Sequence, residues 1–234
     1  MKLILSREEA FNLDRESNSK GYISNHDLMK NAGRLSAEYF IDTIDNPFNK
    51  KVLVIAGSGN NGADAFIMHY YLIKYGINSK IYFINRSKLK YLFRAYDLSD
   101  NCEVHAINSN VVESFDWFID GIFGIGLNRP VKGRFKEIIE LLNNKSIFSL
   151  DIPSGLDCDT GMSFNSNLLC KPSHVVSMGY LKPGNIINEG KQYFRHTEIL
   201  DIEFPKAENL IDIKNRFLIE KEDVISIVEK DNIL

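Results

Sequence analysis

The chain has 234 residues, of which 44% are hydrophobic, and its 28 Lys and Arg nearly balance 31 Asp and Glu, for a formal charge of −3. That length and apolar content suit one large α/β domain, or two small ones, around an ordinary buried core. The charge balance gives no electrostatic footprint for nucleic acid or an anionic membrane, so a small-molecule ligand is expected.

The N-terminal segment 1–9 carries only a brief apolar run before charges arrive, too short for a signal-peptide core. No stretch approaches the roughly 20 apolar residues of a membrane span. Cys102, Cys158 and Cys170 are odd in number and lack CxxC spacing, which argues against a disulfide framework or zinc cluster. A reducing, cytoplasmic setting is the expectation.

In chain order, residues 7–44 read as helical, with Leu28, Met29, Ala32, Leu35, Tyr39 and Phe40 recurring at three- to four-residue spacing and Gly33 as a local weak point. This predicts an N-terminal helical arm over 1–46. Asn46-Pro47-Phe48-Asn49 breaks the pattern, and 51–56 is a continuous apolar run of the kind a strand buried on both faces requires. Helix-like and strand-like stretches then alternate: helix 63–75, strand 80–84, helix 88–98, strands 103–107 and 117–120, helix 132–143, and strands 147–151, 175–178 and 198–202. This rhythm predicts a Rossmann-like, three-layer α/β/α sandwich with a mostly parallel, doubly wound sheet. There is no internal repeat, no low-complexity tract and no firm domain boundary, so the chain reads as a single domain over 1–234. The stretch 217–228 reads as a short terminal helix or tail, within a C-terminal tail over 206–234.

Ligands of such sheets collect beyond the C-terminal ends of the strands, which directs attention to three loops. The first, Gly57-Ser58-Gly59-Asn60-Asn61-Gly62-Ala63-Asp64, follows a strand and precedes a helix, where glycines and free N–H groups can receive an anion. Gly57, Gly59 and Gly62 match GxGxxG, yet the second strand ends Phe83-Ile84-Asn85 without the acid that a dinucleotide ribose needs. Asn60 and Asn61 can offer side-chain oxygen to a ligand or cation, or can stabilise a turn and cap the helix.

The second loop leaves its strand at Asp120 and continues through Phe123, Gly124, Ile125, Gly126, Leu127, Asn128, Arg129 and Pro130. Asp120 can meet a ligand or metal at the sheet edge, or cap a turn; Arg129 suits a phosphate contact or a solvated charge equally. The third, Asp151-Ile152-Pro153-Ser154-Gly155-Leu156-Asp157, places a second strand-end carboxylate beside a hydroxyl. Two such carboxylates with an Asn-rich glycine loop make a hard-oxygen site suited to a cation and a polar substrate. Ser154 lacks the GxSxG elbow, and none of the five His residues sits near a motif that would supply a base, so a serine hydrolase is strongly disfavoured.

With these loops in hand, the sequence resembles the NAD(P)H-hydrate epimerase family, of the YjeF N-terminal domain type, in order from about residue 6 to 205. The resemblance rests on Leu28-Met29-Lys30-Asn31-Ala32-Gly33, Gly59-Asn60-Asn61-Gly62, Asp120 with Phe123-Gly124, Asp151-Ile152-Pro153-Ser154-Gly155-Leu156-Asp157, and Gly179-Tyr180-Leu181-Lys182-Pro183-Gly184. It implies interconversion of the R and S forms of NADH or NADPH hydrated at C6 of the nicotinamide ring, with an ATP- or ADP-dependent dehydratase as functional partner. It implies substrate contacts from Asn60, Asn61, Gly62, Ala63 and Asp64, from Gly124 to Pro130, and from Asp151; the strand-end position of Asp151 and the lack of a competing His in the motifs make it the expected general acid/base. It further implies a potassium ion held by Asn61, Asp120 and Ser154, and a homodimer formed through the N-terminal helices.

The chain departs from the family at Ala63 and Ala65, where glycine is usual, and at Lys30, where an acid is usual. Alanine is costly there only if φ is positive or a ligand comes within a methyl's reach. Two rival readings stand beside the enzyme. One is a non-catalytic scaffold of the same domain type, disfavoured because Asn61, Asp120 and Asp151 are kept. The other is an NAD(P)-dependent dehydrogenase, weakened by the missing ribose acid. Residues 217–224 are also similar to the linker by which some relatives continue into a fused dehydratase.

Overall fold

An apolar run from Val52 to Ala56, solvent-free on both faces, occupies the interior of a six-stranded parallel sheet. The computed structural model describes residues 1–96, 102–214 and 216–219. The chain begins with a short strand β1 (Lys2–Leu3) and helices α1 (Arg7–Ser19) and α2 (Asn25–Thr43). Strand β2 (Lys51–Ala56), helix α3 (Asn60–Lys74) and strand β3 (Asn78–Phe83) follow. Next come α4 (Ser109–Val112), β4 (Trp117–Gly121), α5 (Arg134–Leu141) and β5 (Ser146–Leu150). The last elements are β6 (His174–Met178), α6 (Pro183–Ile186), β7 (Thr197–Leu200) and β8 (Phe217–Leu218).

The sheet order is β3-β2-β4-β5-β6-β7, every pairing parallel, which is the doubly wound arrangement expected from the alternation. Side chains alternate across a strand. Val52, Val54 and Ala56 therefore pack with Phe40 of α2 and Phe66 of α3, whereas Leu53 and Ile55 pack with Ile138 and Ile139 of α5 on the other face. Two helical layers thus enclose the sheet. Phe40 is fully buried and meets Trp117 and Phe148 edge-on, so its truncation to alanine would cost about 3–5 kcal/mol.

The helical run 7–44 is two helices, because Ser6 and Ser24 each supply an N-cap and Gly21 adopts φ +73° between them. Gly33 sits at the α2–α3 contact, where a Cβ would come within 2.6 Å of Ile67 Cγ2 and 2.7 Å of the Met68 backbone nitrogen. Its missing side chain lets the two helices approach. On α1, Leu13 packs with Leu3, Leu5, Ala207 and Leu210, and β8 pairs antiparallel with β1, tying the end of the described chain to its start.

Four further expectations change. The helix read over 63–75 begins at Asn60, so Asn60, Asn61 and Gly62 form its first turn instead of a loop. The helix read over 88–98 is two short 3₁₀ turns, Arg86–Leu89 and Leu92–Arg94, with 97 and 98 outside the described residues. The strand read over 103–107 is a single bridge from Glu103 to Ile81. The terminal helix or tail read over 217–228 opens as strand β8, with 220–228 outside the described residues.

Candidate active site

Strand β2 has β3 on one side and β4 on the other, so the winding of the sheet reverses between β2 and β4 and opens a crevice at their C-terminal ends. A cavity of about 840 Å³ lies there. Its wall includes Asn60, Asn61 and Asp64 from α3, Gly124, Ile125, Gly126 and Leu127 from the segment after β4, and Asp151 directly after β5. Lys182 and Tyr180 come from the segment after β6, Phe11 and Asp14 from α1, His26 and Met29 from α2, and Tyr91 from the segment after β3.

Asp151 ends its strand in the left-handed region at φ +68°, unusual for a residue with a side chain and a mark of an over-determined position. Its Oδ2 accepts the Ile125 N–H at 3.1 Å and its Oδ1 lies 2.5 Å from Lys182 Nζ. Gly124 is needed beside it: a Cβ there would fall 2.8 Å from Asp151 Oδ2 and 3.3 Å from the Asn61 side chain. The carboxylate, the amide and the glycine strap therefore share one small space.

Asp120 is fully buried and does not line the cavity. Ser154 donates to it from Oγ at 2.5 Å and from N at 2.9 Å, and Ser149 Oγ donates at 2.8 Å. Burial raises its pKa, opposed by these hydrogen bonds. Ser154 Oγ also accepts the Phe123 N–H at 2.9 Å, joining the second and third loops. Ser154 is committed to this network, and His69 is buried against Ser79 with its pKa pushed down to about 3, so neither supplies hydrolase chemistry. Cys158 and Cys170 are buried thiols whose pKa values desolvation raises, the former to about 12.

Both Asn61 side-chain polar atoms are buried and lack a hydrogen-bond partner. An orphaned amide costs free energy unless a ligand satisfies it. Asn61, Asp120 and Ser154 offer neutral and anionic hard oxygen, which fits a monovalent cation. Among the described residues no group of three or more His, Cys, Asp or Glu could hold a metal ion, so a soft transition-metal centre has no donor set there.

Asp64 faces the cavity, and desolvation, then the charges of Asp151 and Asp14, hold its pKa well above the usual carboxylate range against the opposing Lys182. Asp14 is raised by burial as well. Gly62 and Ala63 are buried in the first turn of α3 and do not line the cavity, and Asn128, Arg129 and Pro130 are exposed away from it. Ala63 and Ala65 are helical with no positive φ, and Ala65 packs on Gly121, so neither alanine strains the backbone. Lys30 is exposed on α2. Sequence reasoning quoted Lys182 only inside a motif and passed over Asp14, His26 and Ser149.

The family described as "YjeF-related protein N-terminus" matches residues 25–184. The NAD(P)H-hydrate epimerase of Oenococcus oeni is 30% identical over 206 residues, covering 86% of this chain and 96% of that protein. The protein of the same name from Dictyostelium discoideum is 30% identical over 217 residues, covering 88% and 89%. A bifunctional NAD(P)H-hydrate repair enzyme Nnr of Thermofilum pendens is 27% identical over 209 residues, of which this chain spans 39% of the length. The crystal structure of yeast ynu0 shares the fold, with TM-score 0.67, 24% identity and coverage of 84% and 86%.

Proposed function

The chain belongs to the YjeF-related N-terminal family, and from that premise we propose that it is an NAD(P)H-hydrate epimerase, an isomerase that interconverts the R and S forms of hydrated NADH and NADPH. The observation that carries this reading is Asp151, a carboxylate held at a strand end in the wall of the switch-point cavity between the Ile125 amide and Lys182.

Inversion at C6 can proceed by loss of the hydroxyl and its return from the opposite face. A proton must then reach the departing oxygen and be recovered from the water that adds back. It can also proceed by opening and reclosing the ring, in which the hydroxyl gives up a proton and regains it. Both routes need one group beside C6 that gives and takes a proton, and in this reading Asp151 is that general acid/base. In this reading Asn60, Asn61, Asp64, Gly124, Ile125, Gly126 and Leu127, which line the cavity, hold the hydrated ring, and the Phe11 and Tyr91 rings, which also line it, take the remainder of the dinucleotide. In this reading Gly62, Ala63, Asn128, Arg129 and Pro130 support or flank those walls.

Asn61, Asp120 and Ser154 would hold a potassium ion, supported by the orphaned Asn61 amide. When bound, the ion supplies a fixed positive charge that draws these loops together and polarises the site.

The proposed S-form product suits an ATP- or ADP-dependent dehydratase, and the Thermofilum relative's name joins two repair activities in one protein. A cytoplasmic setting fits the buried thiols, and among the described residues no helix is long and apolar enough to cross a membrane. A homodimer through α1 and α2 completes the reading. Incubating the pure R form with the purified chain and following the R-to-S ratio by chromatography tests it. Appearance of the S form above the uncatalysed rate is expected, and no acceleration overturns the assignment.

A further inference from the structure

Lys182 is almost solvent-free, with 3% of its side chain exposed, and a buried ammonium is tolerated only when its charge and its protons are matched. Its Nζ lies 2.5 Å from Asp151 Oδ1, 3.2 Å from Ser177 Oγ and 3.2 Å from the Met178 carbonyl, three acceptors for three protons. No proton is left to donate to a ligand. The Ser177 hydroxyl donates to Tyr180 O at 2.8 Å, which leaves its lone pairs free to accept from Lys182.

The same short segment grips Asp151 elsewhere. The Asp151 N–H donates to Val176 O at 2.6 Å, and the Asp151 carbonyl accepts Asn185 Nδ2 at 3.4 Å. The Lys182 N–H in turn donates to Asn185 Oδ1 at 2.8 Å. Backbone and carboxylate of Asp151 are thus fixed from β6 and the turn into α6, which accounts for how its left-handed conformation persists.

We propose that Lys182 is a positioning residue for Asp151: it pins Oδ1 so that Oδ2, beside the Ile125 amide, is the oxygen presented to the substrate. The inference rests on the epimerase reading for its kinetic consequences but not for its structural ones.

Lys182→Met keeps the stem and removes the charge. With hydrated NADH as probe, kcat should fall about 10- to 100-fold while KM changes less than about threefold. Methylammonium should restore part of kcat to Lys182→Ala and none to Asp151→Asn. In an Asp151→Asn background, adding Lys182→Met should cost less than about threefold more, because coupled residues are not additive. That double variant carries no unpaired buried charge, so it decides the matter if Lys182→Met alone does not fold.

Crystal structures of the wild type and Lys182→Met supply an arm independent of activity, in which the Asp151 carboxylate should leave its wild-type rotamer. A wild-type kcat in Lys182→Met, a fully additive loss in the double variant, or an unmoved Asp151 carboxylate overturns the proposal. Wild-type protein inactive on hydrated NADH would instead overturn the proposed function, and the crystallographic comparison would then decide the role of Lys182.

Discussion

Arg7, at the start of α1, reaches Asp157 in the loop after β5, with its guanidinium 2.5 Å from Oδ2. The same side chain donates to the Ile125 and Leu127 carbonyls, each at 2.8 Å, so one arginine fastens the strap between Gly124 and Leu127 to the loop that carries Asp151 and Ser154. Burial opposes the charge on Arg7, but Asp157 and Cys158 together outweigh it and raise the arginine pKa.

Arg7→Ala should therefore loosen the strap. KM for hydrated NADH should rise about tenfold or more, the equivalent of about 1.4 kcal/mol, with a smaller effect on kcat. Arg7→Lys should recover little, since a point charge cannot reproduce the planar fork that serves two carbonyls and a carboxylate. Steady-state kinetics of both variants checks this, and an unchanged KM in Arg7→Ala would remove the strap from the account.

Gly124→Ala should abolish turnover while leaving the fold intact, because the added methyl would sit 2.8 Å from Asp151 Oδ2 and crowd Asn61. A loss of at least about 100-fold is expected, as for removal of a general acid/base. Circular dichroism should match the wild type. Normal turnover would mean that the cavity wall at Gly124 does not approach substrate.

Asp64 carries a pH signature. Its folded pKa is raised well above its unfolded value by desolvation, Asp151 and Asp14. Stability from this group is then complete below the ordinary Asp range and is lost as pH rises through the folded value. Asp64→Asn should consequently melt at least about 2 °C higher than wild type at pH 7, where a gain near 1 kcal/mol has that effect. The gain should vanish near pH ~4, around the unperturbed Asp value. A lower melting temperature for the variant at pH 7 would contradict the assignment.

The cation site is tested by melting in K⁺ against tetramethylammonium. Binding to the folded state alone adds RT ln(1 + [L]/Kd), about 2.7 kcal/mol at a hundredfold excess over Kd. Wild type should gain stability in K⁺, and Asn61→Ala should lose most of that gain because Asn61 contributes the orphaned amide. Equal melting of the wild type in both salts would remove the ion from the account.

Much of this arrangement could be read from the chain. The apolar runs in β2, β4 and β5 announced themselves because strands covered on both faces must be continuously apolar. The convergence of Asn61, Gly124 and Asp151 followed from placing their loops at strand ends. The segment after β3 departs from the helix expected over 88–98 because the chain there makes only two short turns, which suffice to bury Leu89 and Leu92 in the core. Residues 103–107 carry strand-like composition but pair with β3 at Glu103 alone.

The pairings of Lys182 and Arg7 leave no trace in the sequence for another reason. Their partners, Asp151 and Asp157, lie 31 and 150 residues away, so no local spacing records either pair. Burial gives Lys182 its meaning, and burial is a property of the folded chain. The sequence places Asp120 at a strand end but does not record that the hydroxyls of Ser149 and Ser154 donate to it, since Ser149 and Ser154 lie 29 and 34 residues away.

The most direct measurement follows the R-to-S ratio from both sides, starting wild type and Asp151→Asn with pure R and with pure S hydrated NADH. The account predicts that wild type reaches the same final ratio from either start, and that Asp151→Asn approaches it at least about 100-fold more slowly. An Asp151→Asn variant as fast as wild type, or a wild type no faster than buffer, would contradict it.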